Sequence, residues 1–224
     1  MAKAYLFTNS LCNSSIKALI TKDDYIIGVD GGINTLDQIN LHPHVIIGDF
    51  DSANLDNRFL SLGIKKITHE PEKDFTDTEL AINYALEEKF SPLIIVNNMQ
   101  DRIDHVLGVI ASLRHLHRIG VEAMILGDKQ LFMILKRSNK FNLPIKTTVS
   151  LIPLTDKVTG ISTQGLYYPL SNEELTCDRA RGVSNEVSEK IVEINLREGQ
   201  LLFVVNFENY EEIKTLIPNN AVDL

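Results

Sequence analysis

The sequence predicts an α/β protein in two parts, a parallel sheet covered by helices followed by a small all-β domain. Three observations carry this reading. Short apolar runs, β-rich and not alternating, recur through the first half with helical patterns between them. Near Gly127 the helical patterns give way to strands joined by turns. Acidic residues also gather repeatedly just behind the first-half runs.

The apolar runs are 4–7, 25–29, 45–47, 64–68, 93–96 and 123–126. Unbroken apolar runs of this length suit strands buried on both faces. The spacing predicts helices over 54–62, ended by Gly63, over 78–89 with Leu80, Ala81, Tyr84 and Ala85, and over 103–119 before Gly120. Strand and helix in alternation imply parallel pairing. In the second half, strands are expected over 130–135, 147–152, 158–163, 191–196 and 201–207, punctuated by Gly160, Gly165, Pro169 and Gly199. A short helical piece fits 210–216. The second half reads as a sandwich or a barrel, and the boundary falls around 127–140.

Composition narrows the class. The 224 residues are 44% hydrophobic and 23% charged, ordinary for a soluble globular chain. With 30 acidic against 22 basic residues the net charge is -8, which argues against a broad basic face for nucleic acid. The balance does not exclude an anionic substrate, provided a cation comes with it. Cys12 and Cys177 form no metal-ligand pattern and suggest a reduced, cytoplasmic protein. The start is too short an apolar run for a signal peptide, and no stretch approaches the ~20 apolar residues of a membrane span, so no membrane partner is expected.

Four strand ends carry the chemistry. In Gly48-Asp49-Phe50-Asp51-Ser52, two aspartates one residue apart point the same way if extended. Paired carboxylates repel unless a cation lies between them, and Mg²⁺ suits oxygen ligands. The bland alternative is a turn in which Asp51 or Ser52 caps a helix. In Lys73-Asp74-Phe75-Thr76-Asp77-Thr78-Glu79, Thr76 and Glu79 fit a capping box, and Asp77 suits a helix start. Lys73 is a candidate phosphate contact, with a surface ion pair as the alternative, and Asp74 is harder to explain as a cap. Arg102-Ile103-Asp104-His105 brings a planar guanidinium, a carboxylate and an imidazole to a third strand-to-helix crossing. Asp104 and His105 also have ordinary readings as a helix-start acid and a packing residue. Asp30-Gly31-Gly32 closes the second strand, where glycines let a backbone approach a ligand, or simply turn. Open α/β sheets bind ligands at the carboxyl ends of their strands, so these stretches are expected to converge.

These motifs, with Gly165-Leu166-x-Tyr168-Pro169-Leu170 and Arg181-Gly182-Val183-Ser184-Asn185-Glu186 in the second half, resemble those of the thiamine pyrophosphokinase family over nearly the whole chain. The resemblance implies an N-terminal three-layer, parallel-sheet nucleotide-binding domain over 1–130. It also implies a C-terminal β-sandwich over 131–224 that binds thiamine and forms a homodimer. It implies transfer of pyrophosphate from Mg-ATP to the hydroxyethyl group of thiamine, with AMP released. Carried across, Asp49, Asp51 and Asp77 are the metal cluster, and with Asp104 the catalytic set. Asp30, Gly31, Gly32, Lys73, Asp74, Thr76, Arg102 and His105 contact ATP and its phosphates. Ser184 and Asn185 contact thiamine, as does Phe203, for which a core position is the alternative. Asp77 or Asp104 would accept the hydroxyl proton. Bacterial members usually have a glycine-rich turn before Arg-x-Asp-His; here Asn97-Asn98-Met99-Gln100-Asp101 brings bulkier side chains and an extra carboxylate to the nucleotide pocket. A Mg²⁺-dependent phosphohydrolase and a non-catalytic thiamine-binding module are the competing readings.

Overall fold

A computed structural model describes residues 2–49, 58–61, 63–68 and 75–218. The chain divides into two compact units, one running to Asp128 and the other spanning Lys129–Ile217.

In the first unit six strands form a parallel sheet: β1 (Ala4–Phe7), β2 (Tyr25–Val29), β3 (Val45–Ile47), β4 (Lys65–Ile67), β5 (Leu93–Val96) and β6 (Ala123–Leu126). Their spatial order is β6, β5, β1, β2, β3, β4. Every residue of β1, β3 and β5 is buried, as their unalternating sequences require. The edge strand β4 instead exposes Lys65 and Lys66, charges that discourage further strand pairing.

Four α-helices lie among the described residues of this unit: α1 (Gly32–Gln38), α2 (Arg58–Ser61), α3 (Asp77–Glu87) and α4 (Ile103–Arg118). The step from β2 to β3 runs one way along the sheet, and the steps from β4 to β5 and β5 to β6 run the other way. Right-handed crossovers therefore put α1 on one face and α3 and α4 on the other, giving three layers. Helix α1 and a 3₁₀ turn at Ser14–Leu19 are not anticipated by the sequence pattern. Both are too short for a helical period to show, and Asn34 and Thr35 lower the propensity of α1. What holds α1 is burial of Ile33 and Leu36.

The second unit is all antiparallel. One sheet orders β12 (Asn185–Glu186), β9 (Thr148–Pro153), β14 (Leu201–Asn206) and β7 (Gln130–Ile134). The other orders β11 (Glu173–Thr176), β10 (Lys157–Gln164), β13 (Ile191–Asn195) and β8 (Ser138–Asn142). Phe141 of β8 stacks on Phe203 of β14 with ring centroids 5.0 Å apart, so inner faces meet and the unit is a sandwich. Strands β8, β11 and β12 escape the sequence reading because they are short and mostly polar. A 3₁₀ helix at Tyr210–Leu216 matches the short helical piece expected there.

Gly32 fixes how closely α1 approaches the sheet. A Cβ added there would lie 1.9 Å from the backbone oxygen of Phe7. Helix propensity alone favours alanine over glycine by about 1 kcal/mol, but a carbonyl oxygen cannot yield as a flexible side chain can. Gly32→Ala is therefore expected to destabilise the protein by more than about 2 kcal/mol; a denaturant midpoint equal to or above wild type would contradict this packing.

Candidate active site

The parallel order decides where the first-unit site lies. From β1 the chain crosses towards β2; from β5 it crosses towards β6, on the other side of β1. The loops behind β1 and β5 thus leave in opposite directions and open a crevice at their carboxyl ends. A cavity of about 370 Å³ sits there. Its wall combines Thr8 and Asn9 behind β1, Asp30 behind β2, Asn97 behind β5, Thr76 and Asp77 at the start of α3, and Asp101, Asp104 and His105 at the start of α4.

Side-chain hydrogen bonds shape this edge. Thr8 Oγ1 donates to the Val96 carbonyl at 2.9 Å and accepts from Asn97 Nδ2 at 2.9 Å, tying β1 to β5. Asn97 Oδ1 accepts from the Met99 N–H at 2.7 Å, inside a turn where Met99 has φ +56°. Asn98 Oδ1 accepts from the Asp128 N–H at 2.7 Å, and its own N–H donates to Ser10 Oγ at 2.9 Å. The stretch that departs from a glycine-rich turn is thus held by its own amides.

Asp30 has φ +46° and donates its N–H to the Ile47 carbonyl at 2.8 Å. Gly48, at φ +144°, packs on it: an added Cβ would lie 3.1 Å from Asp30 Cα. This glycine lets the ends of β2 and β3 close on each other. Asp49 follows, exposed, and is not among the residues lining the cavity. Asp51, Lys73 and Asp74 lie outside the described residues. Gly31 is the N-cap of α1, and Gly32 is accounted for by its contact with β1.

The capping reading and the cavity reading of α3 both hold. Thr76 Oγ1 accepts from the Glu79 N–H at 3.2 Å, and Glu79 Oε2 accepts from the Thr76 N–H at 2.9 Å. Thr76 and Asp77 still line the cavity.

At α4 two side-chain pairs interleave. Arg102 grips Asp104 with both arms of its fork, at 2.6 and 3.2 Å. Asp101 accepts the Arg102 N–H at 2.7 Å and faces His105 Nδ1 at 3.1 Å. The Arg102 side chain holds the Asp104 carboxyl below the usual carboxylate range, and Asp104 in turn raises Arg102. Asp101 is lowered first by the Arg102 N–H and then by His105. The sequence singles out Asp101 only as an extra carboxylate and Asn97 only as one of the bulkier residues in place of a glycine-rich turn, and it passes over Thr8 and Asn9. The available signal for Thr8, Asn9 and Asn97 was their position immediately behind the buried β1 and β5 runs.

The carboxylates are hard oxygen donors, fitting Mg²⁺ by chemistry. Among the described residues no three His, Cys, Asp or Glu side chains form a cage. That is compatible with Mg²⁺, which commonly takes one or two carboxylates together with substrate phosphates.

The second unit has its own cavity, of about 390 Å³. The buried Asn185 organises it. Its Oδ1 accepts from the N–H groups of Tyr168 and Glu186 at 3.0 and 2.8 Å, and its Nδ2 donates to the Tyr168 carbonyl at 2.8 Å. One amide thereby joins the two second-half motifs. Tyr167, Tyr168 and Val183 line this cavity and are largely exposed, and Arg181 pairs with Glu173. Ser184, at φ +59°, is exposed and donates its N–H to Ser150 Oγ at 3.1 Å. Phe203 is fully buried on Phe141, in the core position that was its alternative.

Comparison with known proteins gives concordant matches. A family model described as "Thiamin pyrophosphokinase, catalytic domain" matches residues 16–125, and "Thiamin pyrophosphokinase, vitamin B1 binding domain" matches residues 134–201. Thiamin pyrophosphokinase 1 of Caenorhabditis elegans is 26% identical over 86% of this chain and 83% of its own length. Thiamine pyrophosphokinase of Bacillus subtilis is 28% identical over 80% and 85%. The crystal structure of thiamine pyrophosphokinase from Bacillus subtilis superposes with TM-score 0.83 at 22% identity, covering 91% of this chain and 98% of that one. That of the yeast thiamin pyrophosphokinase superposes with TM-score 0.80 at 16% identity, covering 96% and 89%.

The depressed carboxylates make a pH prediction. A folded-state value below the unfolded one stabilises the fold above roughly pH 4, and that contribution is lost as pH falls through the folded value. Arg102→Met is expected to move the Asp104 titration up, towards about 4. Carboxyl ¹³C NMR reads this directly, and an unmoved titration would refute control by the guanidinium.

Proposed function

We propose that this chain, which belongs to the thiamine pyrophosphokinase family, transfers the pyrophosphoryl group of ATP to the hydroxyl of thiamine and releases AMP. The observation that carries the reading is the cavity at the strand switch point, whose carboxylates all fall inside the stretch that matches the family's catalytic domain. The second unit, which contains the match to the vitamin B1 binding domain, is the thiamine side of the reaction.

Phosphoryl chemistry asks mainly for positioning and neutralised charge. Mg²⁺, when bound, supplies charge neutralisation on the phosphate oxygens; Asp49, Asp51 and Asp77 are the residues that would hold it. Asp30, Gly31, Gly32, Lys73, Asp74, Thr76 and His105 serve the nucleotide and its phosphates. Arg102 has a specific task. Its fork is engaged by Asp104, and a phosphate presents the same bidentate geometry. When the guanidinium turns to phosphate, Asp104 loses the partner that lowers its pKa and becomes the better base. Asp104 or Asp77 then takes the hydroxyl proton. Ser184 and Asn185 serve thiamine, with Asn185 fixing the loop and Phe203 backing the sheet beneath it. The same reading gives a homodimer in the cytoplasm. No helix among the described residues is long and apolar enough to cross a membrane.

Purified protein given ATP, Mg²⁺ and thiamine should form thiamine diphosphate and AMP in equal amounts. Formation of ADP, or ATP hydrolysis indifferent to thiamine, would overturn pyrophosphoryl transfer. Asp77→Asn should lower kcat by about 10²- to 10³-fold while the protein still folds; near-normal turnover would remove Asp77 from the metal cluster.

A further inference from the structure

The transfer of the pyrophosphoryl group makes no use of the pairing of Asp101 with His105. Both side chains line the first-unit cavity, at i and i+4 across the opening turn of α4. Asp101 Oδ1 accepts the Arg102 N–H at 2.7 Å, which fixes the carboxylate at the helix end. Its Oδ2 lies 3.1 Å from His105 Nδ1. An ionised carboxylate can only accept, so the proton of this contact sits on Nδ1, and Nε2 is the ring nitrogen left for a ligand. The neighbouring Arg102–Asp104 pair is satisfied within itself, so Asp101 is not needed to hold the guanidinium.

Resting on the reading that this cavity receives the polyphosphate of ATP, we propose that Asp101 is a positioning residue that holds the His105 ring through Nδ1–H and aims Nε2 at a phosphate oxygen, to which the ring donates once Nε2 takes a proton from solvent. A doubly protonated ring between two anions is the electrostatically favoured arrangement. The charged groups around it are Asp101, Arg102 and Asp104 from its own segment, with Asp30 behind β2 and Asp77 of α3 across the cavity. The role is separable from folding, because Asp101 and His105 are both largely exposed and their contact buries no core.

The test has two parts. In ligand-free protein, ¹⁵N NMR of the six histidines, assigned with His105→Asn, should find the neutral His105 ring protonated at Nδ1. Asp101→Gly should shift the proton to Nε2, and Asp101→Asn, whose amide oxygen can still accept, should keep it on Nδ1. In steady-state assays Asp101→Gly should raise KM for Mg-ATP about tenfold, the lower end for loss of a histidine-orienting partner, with kcat within about twofold. Asp101→Gly with His105→Asn should be no worse than His105→Asn alone. An Nε2-protonated ring in the wild type, an unchanged KM in Asp101→Gly, or multiplicative losses in the double variant would overturn the proposal. A wild type that makes no AMP would defeat the transfer reading alone, since the tautomer is read without substrate.

Discussion

The parallel pairing of β1 between β2 and β5 is the constraint on which the first unit turns. Leu6 pairs with Ile27 on one side and Ile95 on the other, so all three strands deliver their carboxyl ends to one edge. Each strand there ends in residues that cannot remain in the apolar interior: Thr8 and Asn9, Asp30, Asn97. Strand direction also aims the starts of α3 and α4 at that edge, bringing Asp77 and Asp104 with them. An antiparallel arrangement of the same apolar segments would bury the same side chains and scatter these polar ones between two ends.

Charge at this edge is organised in pairs. Asp104 is gripped by Arg102, Asp101 by a backbone N–H and His105. Such exposed pairs add little to stability. Their consequence is positional, since they hold acids and a guanidinium ready to exchange partners when a polyanion and a cation arrive together. A net charge of -8 is therefore compatible with a phosphate ligand under the proposed reading. The second unit relies on the opposite device, one buried amide. Asn185 is satisfied by three backbone contacts that join distant turns, and a buried amide left without them would cost more than it contributes.

Much of this was legible in the residues. Five of the six parallel strands announce themselves as unbroken apolar runs, because burial on both faces leaves no polar alternation; the edge strand β4, Lys65–Ile67, keeps its lysines exposed. Helices α3 and α4 announce themselves by period and by caps. Helix α1 and strands β8, β11 and β12 do not, since Gly32–Gln38 is too short to show a period and the strands are short and mostly polar. For the site, the motif acids were legible as acids behind strands; the partners they choose were not.

By itself the sequence determined the class, the order of the elements and the residue types at the strand ends, because hydrophobic period and turn chemistry are local properties. Only the tertiary structure decided that Arg102 closes on Asp104 while Asp101 takes His105, that Thr8 and Asn97 link β1 to β5, and that Phe203 faces Phe141 in the core. Those outcomes depend on distances between segments far apart in the chain, or on rotamers within one turn. Composition and spacing leave both open, and packing closes them.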